Sequence, residues 1–173
     1  MFPWGKGYVS EDVFKEFKEG KVIKKVIAYT DGSAVKAKGG GYHGGAGIVL
    51  NFKGKMKEIS YPIPKGTNNI SELTACIIAL ENLKEPCKAE LYTDSQYCIK
   101  CMTEWLSGWK RRGWKTANKG DVKNVDLIKK LDKLCQLHDV EWNWVKGHDG
   151  DPMNELADQL ACKASKQLKD LED

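Results

Sequence analysis

Three runs rich in β-branched residues, followed by helices alternating with strands, predict an α/β domain built on a mixed sheet. The three runs are KVIKKVIAYTD (21–31), GGAGIVLNF (44–52) and KMKEISYPI (55–63). Gly54 within NFKGK marks a hairpin turn between the second and the third. In NNISELTACIIALENLK (68–84), Leu73, Cys76, Ile77, Leu80 and Leu83 share one helical stripe. AELYTD (89–94) reads as a short strand, and SQYCIKCMTEWLSGW (95–109) and VDLIKKLDKLCQL (125–137) read as helices. DVEWNWV (139–145) alternates as a strand, with Trp142 and Trp144 on one face as packing residues. NELADQLACKASKQLKD (154–170) closes the pattern as a helix.

A chain of 173 residues with 41% hydrophobic content suits one compact domain. The body of that domain reads as 21–168, with a charged tail at 169–173. Residues 1–20 stand apart. A loop holding Trp4, Gly5 and Gly7 leads to Ser10 as helix cap, then Val13, Phe14 and Phe17 at helical spacing, and Gly20 as stop. That pattern is a short amphipathic helix, expected to pack on the body through Phe14 and Phe17. No run approaches the ~18 apolar residues of a membrane span, and the first residues lack the apolar stretch of a secretory signal. The expectation is a cytoplasmic protein, acting as a monomer and away from membranes. Most of the six cysteines fall in apolar patterns, where a free thiol behaves as a small hydrophobe. Cys98 and Cys101 form a lone C-x-x-C with no second pair to complete a zinc set.

The net charge of +4 is local. Between Trp109 and Lys123, six cations (Lys110, Arg111, Arg112, Lys115, Lys119 and Lys123) face one acid, Asp121, and the rest of the chain is close to neutral. Such a block points to a polyanionic partner. Trp105, Trp109 and Trp114 interleave with it, the pattern of aromatics against sugars and cations against phosphates. Core packing is the alternative for these indoles, and the better one for Trp109.

Four acids sit at positions where chemistry could gather. Asp31 is read as ending the first strand and Asp94 as ending the fourth. In open α/β sheets, sites collect at the carboxyl ends of strands. Glu72 is placed in the first turn of its helix and Asp158 in the second turn of the last helix. Brought together, four carboxylates would suit hard divalent cations such as Mg²⁺, which would relieve their mutual repulsion. Two such ions would divide the work, one activating water and the other steadying a leaving oxygen. Each acid also has a plainer reading. Asp31 could form a turn, Asp94 could cap a helix, Glu72 could complete a capping box with Asn69, and Asp158 could be a solvated helix acid. Spacing alone leaves those readings open.

The text around the acids narrows them. YTDGS (29–33), TNNISEL (67–73), LYTDSQY (91–97) and WVKGHDGDPMNELAD (144–158) occur in that order. Together they resemble the motifs of the ribonuclease H type 1 family, nearest to its bacterial members, from about Val22 to Leu168. WKRRGWKTANKGDVKNVDL (109–127) resembles the basic protrusion of those members. The resemblance implies a ribonuclease H-like fold, a five-stranded mixed sheet flanked by helices. It implies hydrolysis of the RNA strand of an RNA/DNA hybrid with two Mg²⁺ ions (Mn²⁺ as a substitute), leaving 5′-phosphate and 3′-hydroxyl ends. By motif match Asp31, Glu72, Asp94 and Asp158 are the metal-binding carboxylates. His148 assists proton transfer or product release, and Glu155 is an acid that tunes the second metal. Thr67 would hold a phosphate of the DNA strand, and Asn68, Asn69 and Gln96 would contact the minor groove. Trp105, Lys110, Arg111, Arg112, Trp114 and Lys115 would belong to the protrusion's contacts.

The chain departs from the family pattern in three places. The stretch GSAVKAKGGGYHGG (32–45) replaces a shorter loop, so that Lys36, Lys38 or His43 are candidates for its RNA contacts. Ile128 stands where an aromatic is usual. Asp149 and Asp151 add negative charge beside His148, and are expected to raise its pKa or attract a further cation. Two competing identities share the broad fold. An integrase-, transposase- or resolvase-like nuclease would lack these motifs in combination, and a reverse transcriptase's ribonuclease H domain is disfavoured by the protrusion.

Overall fold

The computed structural model describes residues 23–147 and 149–172. The amphipathic segment read within 1–20, and His148, lie outside the described residues. Five strands form one sheet in the order β3-β2-β1-β4-β5. They are β1 (Lys24–Lys36), β2 (Tyr42–Phe52), β3 (Lys55–Ile63), β4 (Cys87–Thr93) and β5 (Asp139–Trp144). β1–β2 and β2–β3 pair antiparallel, whereas β1–β4 and β4–β5 pair parallel. The mixed sheet expected from the sequence is therefore observed. At the β2–β3 turn, Lys53 and Gly54 both adopt positive φ, the geometry that matches the right-handed twist of two paired strands.

Parallel neighbours need a crossover, and α1 (Asn68–Glu81) supplies it between the β-hairpins and β4. Thr67 caps α1, its Oγ1 accepting from the Ile70 amide at 3.3 Å. After β4 come α2 (Gln96–Lys100), a π-helical turn (Cys101–Trp105) and α3 (Leu106–Arg111). Beyond the basic block lie α4 (Val125–Leu137), β5 and α5 (Pro152–Asp170). Pro152 opens α5 and Asp151 caps it, because proline at the first helical position forfeits no hydrogen bond. Residues Lys169 and Asp170 of the expected tail are helical.

The main core lies between one face of the sheet and the pair α1 and α4. Val26, Ala28, Ile48 and Leu50 from the sheet meet Leu73, Cys76, Leu80, Ile128 and Leu131 there. Ile128, in the place of an aromatic, is fully buried. The other face is covered by α5 at much shorter range. A Cβ on Gly45 would sit 2.1 Å from the Ala161 carbonyl oxygen, and one on Gly47 would sit 2.0 Å from that of Ala157. Bare glycines on β2 opposite alanines on α5 are what let the helix backbone touch the strand.

Several expectations need correction. β1 does not end at Asp31: its antiparallel ladder with β2 continues through Lys36↔Tyr42, and only its parallel ladder with β4 stops, at Thr30↔Thr93. Much of 32–45 is therefore paired strand, closed by a tip at Ala37–Gly41 in which Gly39, Gly40 and Gly41 adopt positive φ. Glu72 is the fifth residue of α1 and sits in its second turn. Trp144 is 51% exposed, since it lies at the last residue of an edge strand. Trp142 does pack against the core. The six cysteines are free thiols; Cys76, Cys87, Cys98 and Cys101 are buried, in keeping with a packing role.

Candidate active site

Two adjacent parallel strands that stop in register carry their next residues to one place. Thr30 and Thr93, paired at the end of β1 and β4, are fully buried. Asp31 and Asp94 follow them directly. Asp94 is not the cap of α2. Ser95 takes that work, its Oγ accepting from the Cys98 amide at 3.2 Å, and Thr93 Oγ1 accepts from the Ser95 amide at 3.0 Å. The loop after β5 closes over the same point, where a Cβ on Gly147 would lie 2.9 Å from Asp94 Oδ2.

Glu72 arrives from α1, which approaches β1 closely at Gly32. A Cβ there would lie 2.4 Å from the Glu72 amide nitrogen. Carboxylate oxygens of Asp31, Glu72 and Asp94 lie within 4.8 Å of one another. Asp158, from the second turn of α5, comes close enough to help push the Asp31 carboxyl pKa upward. All four acids line one open cleft of about 440 Å³, with Asn68, Asn69 and Gln96 at its rim. The four acids separated in sequence thus converge on one cleft.

The electrostatics are strained. Asp31 is 3% exposed and Glu72 5% exposed. Burial, then the charges of Asp94 and Asp158, push the Asp31 carboxyl up to about 8. Burial, then Asp31 and Asp94, push Glu72 well above the usual carboxylate range. Glu72 Oε2 is buried without a hydrogen-bond partner, which is costly for an oxygen that has left water. A set of hard oxygen donors, one of them orphaned, fits divalent cations of the Mg²⁺ kind.

Other expected residues fall near the cleft or away from it. Thr67 begins α1 and lines a neighbouring pocket with Asn68, Asn69, Lys123 and Asn124. Glu155 is exposed in the first turn of α5. Asp151 has structural work. Its Oδ1 accepts from the Met153 and Asn154 amides, and its Oδ2 accepts from the Tyr29 hydroxyl at 3.0 Å. His43 turns from the cleft to Glu172, with Nε2 and Oε1 2.6 Å apart. In the protrusion, Trp105 is 41% exposed and stacks obliquely on Trp109, their ring centres 5.8 Å apart. Trp109 and Trp114 are half-buried against the core. Lys110 pairs with Asp132 at 2.7 Å, and Lys115 pairs with Asp121. Arg111 and Arg112 are exposed, and Arg112 Nε donates to the Lys115 carbonyl oxygen at 3.1 Å.

Tyr97, within LYTDSQY, is a cleft residue that the sequence reasoning does not single out. It lines the acidic cleft and its hydroxyl accepts from Asn124 Nδ2 at 3.1 Å, tying the cleft to the end of the protrusion. Asn124 itself has positive φ, 59°, a conformation Asn tolerates well; that residue type before an apolar-periodic helix was the available signal.

A β3-β2-β1-β4-β5 sheet with acids just past its parallel core defines a ribonuclease H-like α/β protein with an acidic, cation-seeking centre. The sequence profile of the family described as RNase H matches residues 23–166. A ribonuclease H of Shewanella sp. (strain ANA-3) is 52% identical over 143 residues, 83% of this chain and 89% of that protein. A ribonuclease HI of Caulobacter vibrioides is 53% identical over 143 residues, 83% of this chain and 94% of its own. The crystal structure of LC9-RNase H1, described as a type 1 RNase H with the type 2 active-site motif, superposes with a TM-score of 0.76 at 30% identity. That match covers 84% of this chain and 74% of the other. The chain belongs to the ribonuclease H family, on its type 1 branch.

Proposed function

We infer that this chain is a hydrolase that cuts the RNA strand of RNA/DNA hybrids inside the strand. The observation that carries the reading is the buried meeting of Asp31, Glu72 and Asp94, with Asp158 on the same cleft, in a chain whose relatives are ribonucleases H. The four carboxylates would hold two Mg²⁺ ions, with Mn²⁺ as a substitute. Bound there, the ions supply Lewis acidity for attack of water on the phosphate and for departure of the 3′ oxygen. The products then carry 5′-phosphate and 3′-hydroxyl ends.

The protein's own part is to hold and orient. Ser95 and Thr93 keep Asp94 out of the helix cap and turned to the cleft. Asn68, Asn69 and Gln96, exposed at the rim, offer amide donors and acceptors to a minor groove, where a 2′-hydroxyl distinguishes RNA from DNA. Thr67 anchors a phosphate of the DNA strand. Trp105 and the cations Lys110, Arg111, Arg112 and Lys115 grip the hybrid beyond the cleft, with Trp114 as their buttress. His148 serves proton transfer or product release, a task suited to a side chain that titrates near neutrality. We place the protein in the cytoplasm, where its six free thiols stay reduced, working as a monomer.

End-labelled RNA, presented as hybrid, as RNA duplex and as single strand, tests the reading. Cleavage of the hybrid alone, and only with Mg²⁺ or Mn²⁺, is expected. Equal cutting of the RNA duplex, or metal-independent cutting, would overturn it.

A further inference from the structure

The β1–β2 hairpin extends past Asp31 through the Lys36–Tyr42 pair. Its two faces do different things. Val35 and His43 form one cross-strand pair and Lys36 and Tyr42 the next. Directly opposed residues share a face, and successive pairs alternate. The His43 face is fastened to the end of α5. Glu172 Oε1 receives the Lys38 amide at 2.7 Å and lies 2.6 Å from His43 Nε2. Lys169 Nζ donates to the Lys36 carbonyl oxygen at 2.9 Å. Closer to the sheet, Ser33 Oγ and Ser165 Oγ lie 3.0 Å apart on that side.

The opposite face looks onto the start of α1. Tyr42 and Ala34 wall a pocket of about 330 Å³ whose far side is Thr67, Asn68, Asn69 and Lys123. Tyr42 is 42% exposed, and Lys36, on the same face, is exposed as well. A half-open phenol ring beside a lysine, facing amides, a hydroxyl and a second lysine, is a sugar–phosphate contact in its chemistry. A ring can lie on a sugar or base while the cations take the adjacent phosphates.

We propose that this hairpin is an additional substrate arm, in which Tyr42 and Lys36 contact the backbone of the hybrid's DNA strand where it passes Thr67. Glu172 and His43 are positioning residues that hold the arm from behind. The proposal rests on the hybrid-cleaving reading above. Lengthening the hairpin reaches the strand farther from the cleft, and the clasp supplies the rigidity that a three-glycine tip lacks.

The test is steady-state cleavage of a hybrid by the full chain with Mg²⁺, alongside hybrid affinity in the Asp94→Asn background. Tyr42→Ala should raise KM and weaken affinity about ten-fold, with kcat within a factor of two. Tyr42→Phe should restore most of the loss. Glu172→Ala should raise KM about three-fold, and should add little on top of Tyr42→Ala, since it acts through the arm. Melting temperatures confirm that each variant is folded. Unchanged KM and affinity in folded Tyr42→Ala would overturn the arm, and full additivity of the two substitutions would overturn the positioning role. Failure of the unaltered chain to cut any hybrid would instead defeat the hybrid-cleaving reading itself.

Discussion

The acidic cleft and the basic protrusion handle charge in opposite ways. In the cleft, Asp31, Glu72 and Asp94 are crowded within 4.8 Å, two of them almost fully buried, and among the described residues no lysine or arginine lines the space. In the protrusion, Lys115 answers Asp121, Lys110 answers Asp132 and Lys129 lies over the Trp114 ring at 5.2 Å. The backbone is just as organised: the Trp114 amide donates to the Trp109 carbonyl oxygen at 2.7 Å, and Lys115 and Asp121 bridge as an isolated antiparallel pair. The cleft crowds like charges, a repulsion that a bound cation or a proton relieves. The protrusion neutralises part of its own charge and presents the remainder to solvent. On the proposed function, the first region would hold small hard cations and the second would meet a large polyanion that must later leave.

The sharpest way to break this comparison is Asp94→Asn. It removes a cleft ligand without touching the protrusion, so hydrolysis should fall by about 10³-fold or more while hybrid affinity, read by fluorescence anisotropy, stays near that of the unaltered chain. Retained turnover would remove Asp94 from the chemistry.

A control lies outside both regions. His138 is buried, its Nδ1 accepting from the Cys87 amide at 3.1 Å, and burial lowers its pKa to about 4 from 6.5. Its folded form therefore prefers to be neutral, and below 6.5 the unfolded chain takes up the proton first. Stability from this site should be full above pH 6.5, decline as the pH falls toward 4, and level off below. The total is at most about 3 kcal/mol. Urea midpoints of His138→Gln against the parent between pH 7 and 4 would check it; parallel curves would count against it.

Asp31→Asn should stabilise the metal-free protein by about 2 kcal/mol, read as a higher melting temperature, because it replaces a buried carboxyl that must either take up a proton or stand charged among like charges. The gain should shrink or reverse when Mg²⁺ is added, since the neutral amide is a poorer ligand. A metal-free melting temperature that falls would show the cleft to be less repulsive than its geometry implies.

The smallest effect is expected at the protrusion. Neutralising Arg111, Arg112 and Lys115 together should lower the slope of log affinity against log salt by about one to two rather than three, because Lys115 is already engaged by Asp121. Affinity at moderate salt should drop about ten-fold with kcat unchanged. An unaltered slope would acquit the protrusion of phosphate contact.

Much of this was readable from residues in a row. The strand runs, the turn at Gly54 and the stripe of α1 follow from period and local conformation, which are properties of neighbouring residues. The motif order around the four acids indicated the family and so the site. What escaped was long-range. β1 runs past Asp31 because β2 offers it a partner as far as Tyr42, and nothing in YTDGS announces that partner. Trp144 alternates correctly with Trp142 yet is exposed, because the sheet ends beside it. Asp151 reads as a charge beside His148, but its oxygens serve the α5 cap and Tyr29.

The order of the elements, the local basic block and the identity of the acids were thus determined by the sequence alone, since each depends on which residues adjoin which. Convergence of the acids was decided by tertiary structure. It requires β1 and β4 to end their ladder in register, Gly32 to admit α1, and Gly45 and Gly47 to seat α5, and backbone approach of that kind is a property of surfaces meeting, not of any segment by itself.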